Sequence, residues 1–148
     1  MHFRDATLAD IPGMHTVRMA VRENMLSNPD SIKPEDYRLY LEERGKGWVC
    51  QDKAKVVGFA IVDMEKSNLW ALFVDPDYER RGIGRQLLSL LTSYAFSHGC
   101  SRLWLGTQPD SRAKKFYQRA GWRPVGLTPE GDIRFELEAS LRLPEAAE

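Results

Sequence analysis

Two glycines one residue apart stand among three arginines in Arg80-Arg81-Gly82-Ile83-Gly84-Arg85. An apolar run, Leu69-Trp70-Ala71-Leu72-Phe73-Val74, precedes them and has the length of one buried strand. Asp75-Pro76-Asp77-Tyr78 then breaks the strand. Ile83, Leu87, Leu88, Leu90 and Leu91 follow at helical spacing. A strand that ends in a glycine turn opening a helix can hold an anion. The first helical amides have no partner inside the helix and point outward. The helix dipole adds roughly half a positive charge there, and glycine lets a phosphate approach the backbone. Three flanking arginines suit an anion with more than one charge.

The rest of the composition says that this anion site is local. Lys+Arg and Asp+Glu number 21 each, so the net charge is zero, which argues against a general nucleic-acid or membrane-surface binder. Hydrophobic content of 43% and charged content of 28% are ordinary for a globular domain with a real core. No apolar run nears the roughly 18 residues of a membrane span. The N-terminal Met1-His2-Phe3-Arg4-Asp5 has no signal-peptide character. Cys50 and Cys100 form no metal spacing and read as reduced thiols, so a cytoplasmic location and no metal are expected.

The elements that must position the turn follow from periodicity and breakers. His2 to Ala6 is a strand candidate. Thr7, with Asp10 three residues on, caps an amphipathic helix from Leu8 to about Glu23. A polar segment from Asn24 to Lys33 leads to Pro34, which suits a first helical position, and Glu35 to Arg44 is a second helix ended by Gly45 and Gly47. Trp48 to Gln51 and Val56 to Asp63 form a hairpin, and Leu69 to Val74 is the next strand. The helix after the glycine turn closes at His98-Gly99. Arg102 to Thr107 is a strand, Arg112 to Ala120 a helix ended by Gly121, and Trp122 to Leu127 and Ile133 to Glu138 are the last strands. The order β-α-α-β-β-β-α-β-α-β-β predicts an α/β (α+β) protein. Its mixed, largely antiparallel sheet of about seven strands is flanked by about four helices. One domain is expected over residues 1–138, with a frayed tail at 139–148.

The glycine turn fits neither common nucleotide motif. A dinucleotide fingerprint needs a third glycine where Leu87 stands, and a P-loop needs a Gly-Lys-Ser/Thr that is absent. The stretch does resemble motif A of the GNAT superfamily of acyl-CoA-dependent N-acyltransferases, [QR]-x-x-G-x-[GA] after a strand ending in Val-x-Pro. Val74-Asp75-Pro76 and Arg81-Gly82-Ile83-Gly84 stand in that relation, with Glu79 at the motif's Gln/Arg position. Ala113-Lys114-Lys115-Phe116-Tyr117-Gln118-Arg119-Ala120-Gly121-Trp122 is similar to the family's A-x-x-F-Y-x-x-x-G-F segment. The resemblance extends over the chain to Glu138.

The resemblance implies acetyl-CoA as cosubstrate. Its pyrophosphate would lie on the amides of Arg80, Arg81, Gly82, Ile83, Gly84 and Arg85, and its pantetheine arm beside Leu72, Phe73 and Val74. It implies that Tyr117 is the general acid at the leaving sulfur, and that Asp110 stands where many members carry a pantetheine-contacting Asn. Some members place a Glu base on the strand after the glycine helix, where this chain has Gly106. The base is therefore left among Glu23, Asp63, Glu65 or a water chain, while His15 and His98 read as structural. The acceptor would lie under the first two helices, near Glu23, Asn24 and Trp70, with Tyr37 and Tyr40 as aromatic walls or plain core. The expected activity is transfer of an acetyl group to a primary amine by direct attack in a ternary complex. A small-molecule amine is favoured, and a protein N-terminus or lysine is the other acceptor class. A CoA-binding sensor without turnover is the competing class. A homodimer is compatible with the family, although no sequence feature requires it.

Overall fold

The apolar runs become seven strands of one sheet: β1 (His2–Asp5), β2 (Gly45–Asp52), β3 (Lys55–Asp63), β4 (Asn68–Val74), β5 (Arg102–Thr107), β6 (Arg123–Leu127) and β7 (Ile133–Glu138). Four α-helices are described: α1 (Ile11–Arg22), α2 (Pro34–Leu39), α3 (Ile83–Ser97) and α4 (Arg112–Arg119). The structure is a computed structural model that describes residues 1–22, 32–109 and 111–139. Glu23, Asn24, Asp110 and the tail from residue 140 lie outside the described residues.

The strands lie in the order β1-β2-β3-β4-β5-β7-β6. Every neighbouring pair is antiparallel except β4 with β5. β3 reads as a continuous apolar run because it is buried on both faces. Its Ala60 and Val62 pack under α3 with Leu87, Leu91, Leu103, Leu105 and Phe135. Its Phe59 and Ile61 pack under α1 and α2 with Met14, Val17, Tyr37 and Ala71. Leu87 and Leu91 are fully buried, each contributing about 1.5–3 kcal/mol of transfer free energy.

Local signals hold where they are chemical. Asp10 accepts the Thr7 N–H at 2.8 Å and also binds both terminal nitrogens of Arg4 at 2.8 Å, which ties β1 to the start of α1. That helix opens with one 3-10 turn, Leu8–Asp10. Gly99 and Gly121 take left-handed φ of +97° and +94° and end α3 and α4. Behind them the Cys100 N–H donates to Ala95 O and the Trp122 N–H to Tyr117 O, both at 3.0 Å. Trp122 is thereby held at the end of α4 and precedes β6 instead of starting it.

One expectation is corrected. Gly45 does close the helical segment, but Gly47 does not, and both glycines belong to β2. The helical segment runs as α2 and then a π-helical turn, Tyr40–Arg44, directly into the strand. A Cβ on Gly45 would lie 1.7 Å from the Val62 carbonyl oxygen, and one on Gly47 2.7 Å from Leu41 Cδ2. The glycines are there for close packing between that turn and β3.

Candidate active site

β4 and β5 run parallel but share one register pair, Asn68 with Trp104, at the start of β4. Three hydrogen bonds clamp that end. The Trp104 N–H donates to Ser67 O at 3.0 Å, Trp104 Nε1 to Lys66 O at 3.0 Å, and Asn68 Nδ2 to Trp104 O at 3.1 Å. No further pair joins the two strands, so they separate toward their C-terminal ends. On its other edge β4 is held by β3, with Val74 opposite Gly58 and Leu72 opposite Ala60. Leu72, Phe73 and Val74 therefore present one edge of backbone to the gap. Thr107, at the end of β5, has a buried hydroxyl without a hydrogen-bond partner among the described residues. Buried polar groups are normally satisfied, so this hydroxyl and the open edge both suit an extended ligand with amides.

The gap leads to the glycine turn. Asp75 caps a 3-10 turn, Pro76–Tyr78, by accepting the Asp77 N–H at 2.9 Å. Arg80 and Gly82 then take left-handed φ of +66° and +80°. The first α-helical bond of α3 runs from the Gln86 N–H to Gly82 O at 3.1 Å. The amides of Ile83, Gly84 and Arg85 thus have no acceptor within the helix. At Gly84 a Cβ would sit 3.6 Å from both Phe116 and Val74, which is ordinary contact. Packing does not require glycine at 84, whereas the backbone conformation does at 82.

The arginines divide. The Arg81 guanidinium lies 4.8 Å over the Tyr78 ring, and the Tyr78 hydroxyl donates to Asp52 at 2.8 Å. That bond raises the phenol pKa. Arg85 instead lines a groove of about 310 Å³ with Arg112, Lys115 and Arg119 from α4, over Phe116 and Ala120. Arg112 is also paired with Glu79 at 2.6 Å. This four-cation groove beside the open amides fits the phosphates of an acyl-CoA.

Tyr117 lies on the inner side of α4 and is 6% exposed. Its ring packs against Phe116, Trp122 and Phe135 at centroid distances of 5.1, 5.6 and 6.4 Å. Phe135 pairs with Leu105 on β5, the strand that forms one wall of the gap. Burial pushes the Tyr117 phenol well above its ordinary value of 10. The hydroxyl therefore keeps its proton near neutral pH and is held as a hydrogen-bond donor.

The other face of β4 is shaped by a bulge. Ile61 pairs with Ala71 but Val62 pairs with Leu69, so Trp70 is the extra residue. The bulge puts Trp70 and Ala71 on the same side, toward α1 and α2. Tyr40 stacks on Trp70 at 4.0 Å and Tyr37 meets it edge-on at 5.5 Å. The Arg18 guanidinium lies 5.1 Å over Trp70 and 4.8 Å over Phe73. Tyr37 is fully buried, and its hydroxyl is 3.2 Å from His15 Nδ1. His15 thus serves this aromatic cluster, while His98 stacks on Tyr94 at 4.0 Å at the far end of α3.

Of the carboxylates considered as bases, Glu23 lies outside the described residues, and Asp63 and Glu65 both face Arg44. Asp63 is 2% exposed. It accepts from Arg44 Nη2 at 2.7 Å, Arg44 Nε at 3.3 Å, the Glu65 N–H at 3.0 Å and the Lys66 N–H at 3.3 Å. Glu65 lies out in solvent, 4.0 Å from Arg44 Nε. At the other end of β5, a Cβ on Gly106 would lie 3.7 Å from Asp132 Oδ2.

Sequence reasoning passed over Thr107, Asp132 and the α4 cations. The cations had a signal: Arg112, Lys115 and Arg119 recur at helical spacing. Thr107 and Asp132 had none, because only strand pairing places them. Cys50 and Cys100 are free and buried. Among the described residues no His/Cys/Asp/Glu group could hold a metal, and no helix is long and apolar enough to cross a membrane.

A gap between parallel strands that opens onto a glycine turn is the arrangement of an acyl-CoA acyltransferase, and the family comparison agrees. Residues 15–122 match the acetyltransferase (GNAT) family model, and the chain belongs to that family. Among its relatives is the [ribosomal protein bS18]-alanine N-acetyltransferase of Escherichia coli. It is 34% identical over 88 residues, 57% of this chain and 60% of the relative. The chain spans 38% of one such curated relative and 60% of another. A crystal structure of the E. coli ribosomal-protein-S18-alanine N-acetyltransferase superposes with a TM-score of 0.75 at 22% identity, covering 93% of this chain and 92% of that one. A PaiA N-acetyltransferase from Thermoplasma acidophilum in complex with coenzyme A gives 0.75 at 15% identity, covering 93% and 98%.

Proposed function

We propose that this protein transfers an acetyl group from acetyl-CoA to a primary amine, with both substrates bound together. The observation that carries this reading is the gap between β4 and β5, continuous with the open amides at the start of α3. In this reading the backbone edge of Leu72, Phe73 and Val74 pairs with the pantetheine arm. The amides from Arg80 to Arg85 hold the pyrophosphate, each charge gaining about 0.3–1 kcal/mol from the helix N-terminus. A backbone amide of β4 polarises the thioester carbonyl. The amine nitrogen attacks that carbonyl, the C–S bond breaks, and Tyr117 gives its proton to the departing thiolate.

The acceptor lies on the Trp70 face, under α1 and α2. A small-molecule amine is the first choice, and the name of the bS18-alanine relatives adds a peptide α-amine to the candidates. The test is release of free thiol from acetyl-CoA across a panel of small amines, lysine peptides and peptides with N-terminal alanine. Turnover with one class supports transfer; tight acetyl-CoA binding without turnover on any amine supports a sensor instead. Tyr117→Phe should lower kcat by roughly 10²–10⁴-fold and leave the Kd for acetyl-CoA unchanged.

A further inference from the structure

An amine acceptor is a cation near neutral pH and must lose a proton to attack. Among the described carboxylates on the acceptor face, most are taken. Asp63 accepts four hydrogen bonds. Glu136 is bound by Arg134 at 3.1 Å and lies 3.7 Å from Arg102, and Glu138 is bound by Arg123 at 2.9 Å. Asp132 is different. It sits just before β7, and the structure gives its carboxylate no hydrogen bond or ion pair among the described residues.

The face it occupies can be derived. Trp104 and Asn68 are a parallel register pair, so their side chains share a face. Leu69 packs on the α3 side, which puts Asn68, Trp104 and, two residues on, Gly106 on the acceptor side. Where Gly106 lacks a side chain, Thr128 and Asp132 cover the place, the Thr128 methyl lying 3.3 Å from where a Cβ would be. A Cβ on Gly106 would lie 3.5 Å from Asp132 Cβ and 3.7 Å from its Oδ2. Opposite Gly106 on β7 is Arg134, and its guanidinium leans away, 4.4 Å over the Trp104 ring. The Asp132 backbone is locked by Thr128. Its N–H donates to the Thr128 hydroxyl at 3.1 Å, and its carbonyl accepts the Thr128 N–H at 2.8 Å.

We propose that Asp132 is the general base of the transfer, reaching over Gly106 from the β6–β7 turn. One N–H bond of the acceptor ammonium breaks and an O–H bond forms on the carboxylate. The freed nitrogen lone pair makes the new C–N bond, the C–S electron pair leaves with sulfur, and the Tyr117 proton neutralises it; the second nitrogen proton then leaves the new amide to solvent, which returns a proton to the Tyr117 oxygen. The proposal rests on the acetyltransferase reading above. The other charged groups described on this face are Arg134, Glu136 and Arg102, which are tied to one another, Glu138 with Arg123, Asp63 with Arg44, Arg18 over Trp70, and Glu130 in the same turn.

The test is kinetic, with an amine that the parent protein turns over. Asp132→Asn should lower kcat about 100-fold while acetyl-CoA affinity, read by calorimetry, stays unchanged. Its residual rate should climb with pH about tenfold per unit toward the pKa of the free amine, because solution then does the deprotonation. Gly106→Glu added to Asp132→Asn should return at least about tenfold of the lost rate, since the strand then supplies the carboxylate. A kcat within about threefold of the parent, or a loss with the parent's pH profile kept, would overturn the assignment while leaving the acetyltransferase reading intact. No turnover by the parent on any amine would overturn both.

Discussion

Gly82 and Gly84 look alike in the sequence and do different work. Gly82 has a φ of +80°, where a Cβ costs about 1–2 kcal/mol. Gly84 has room for a Cβ against Phe116 and Val74, so the amide and the space outside it are what glycine preserves there. The two alanine variants should therefore separate. Gly82→Ala should lower Tm by roughly 2–4 °C per kcal/mol lost. Gly84→Ala should hold or raise Tm, through alanine's helix propensity, and weaken acetyl-CoA binding. Thermal melts with and without acetyl-CoA read both effects; equal behaviour of the two variants would sink the distinction. The pair was legible as a turn in the sequence, but its division of labour was not, because it depends on what packs beside each residue.

At the scale of elements, side chains far apart in sequence join what periodicity only lines up. Arg4 of β1 grips Asp10 at the start of α1, and this bond with the Thr7 N–H holds the Asp10 carboxyl below its ordinary 3.8. A depressed carboxyl stabilises the fold above its ordinary pKa and loses that effect as pH falls through the folded value. The stability gap between the parent and Asp10→Asn, measured by urea unfolding, should thus be full at pH 6 and close below about pH 4. A gap that persists at pH 2 would contradict the ion pair's role. The Trp70 bulge belongs to the same scale. An apolar run from Leu69 to Val74 reads as a simple strand, and the slip against β3 that turns Trp70 toward α1 is a property of the pair of strands.

For the whole molecule, zero net charge conceals a strong local field. Arg85, Arg112, Lys115 and Arg119 gather in one groove between α3 and α4, all open to solvent and so screened by salt. Acetyl-CoA affinity should fall as ionic strength rises. Lys115→Ala with Arg119→Ala should bind several-fold more weakly at low salt, each exposed cation being worth about 0.2–1 kcal/mol, and depend less on salt. A titration at two salt concentrations checks this, and an unchanged slope would remove the groove from the binding site.

The order of elements, the antiparallel hairpins, the ends of α3 and α4 and the strand-turn-helix around Gly82 could be read from residues alone. Their causes are local: breakers at Asp75-Pro76, left-handed glycines at 82, 99 and 121, and apolar periodicity. The π-helical run into Gly45, the separation of β4 from β5, the bulge at Trp70 and the reach of Asp132 over Gly106 were decided only by the tertiary structure. Each is a matter of register or close approach between segments far apart in sequence. No residue type announces a register, because it comes from which faces the assembled sheet must bury.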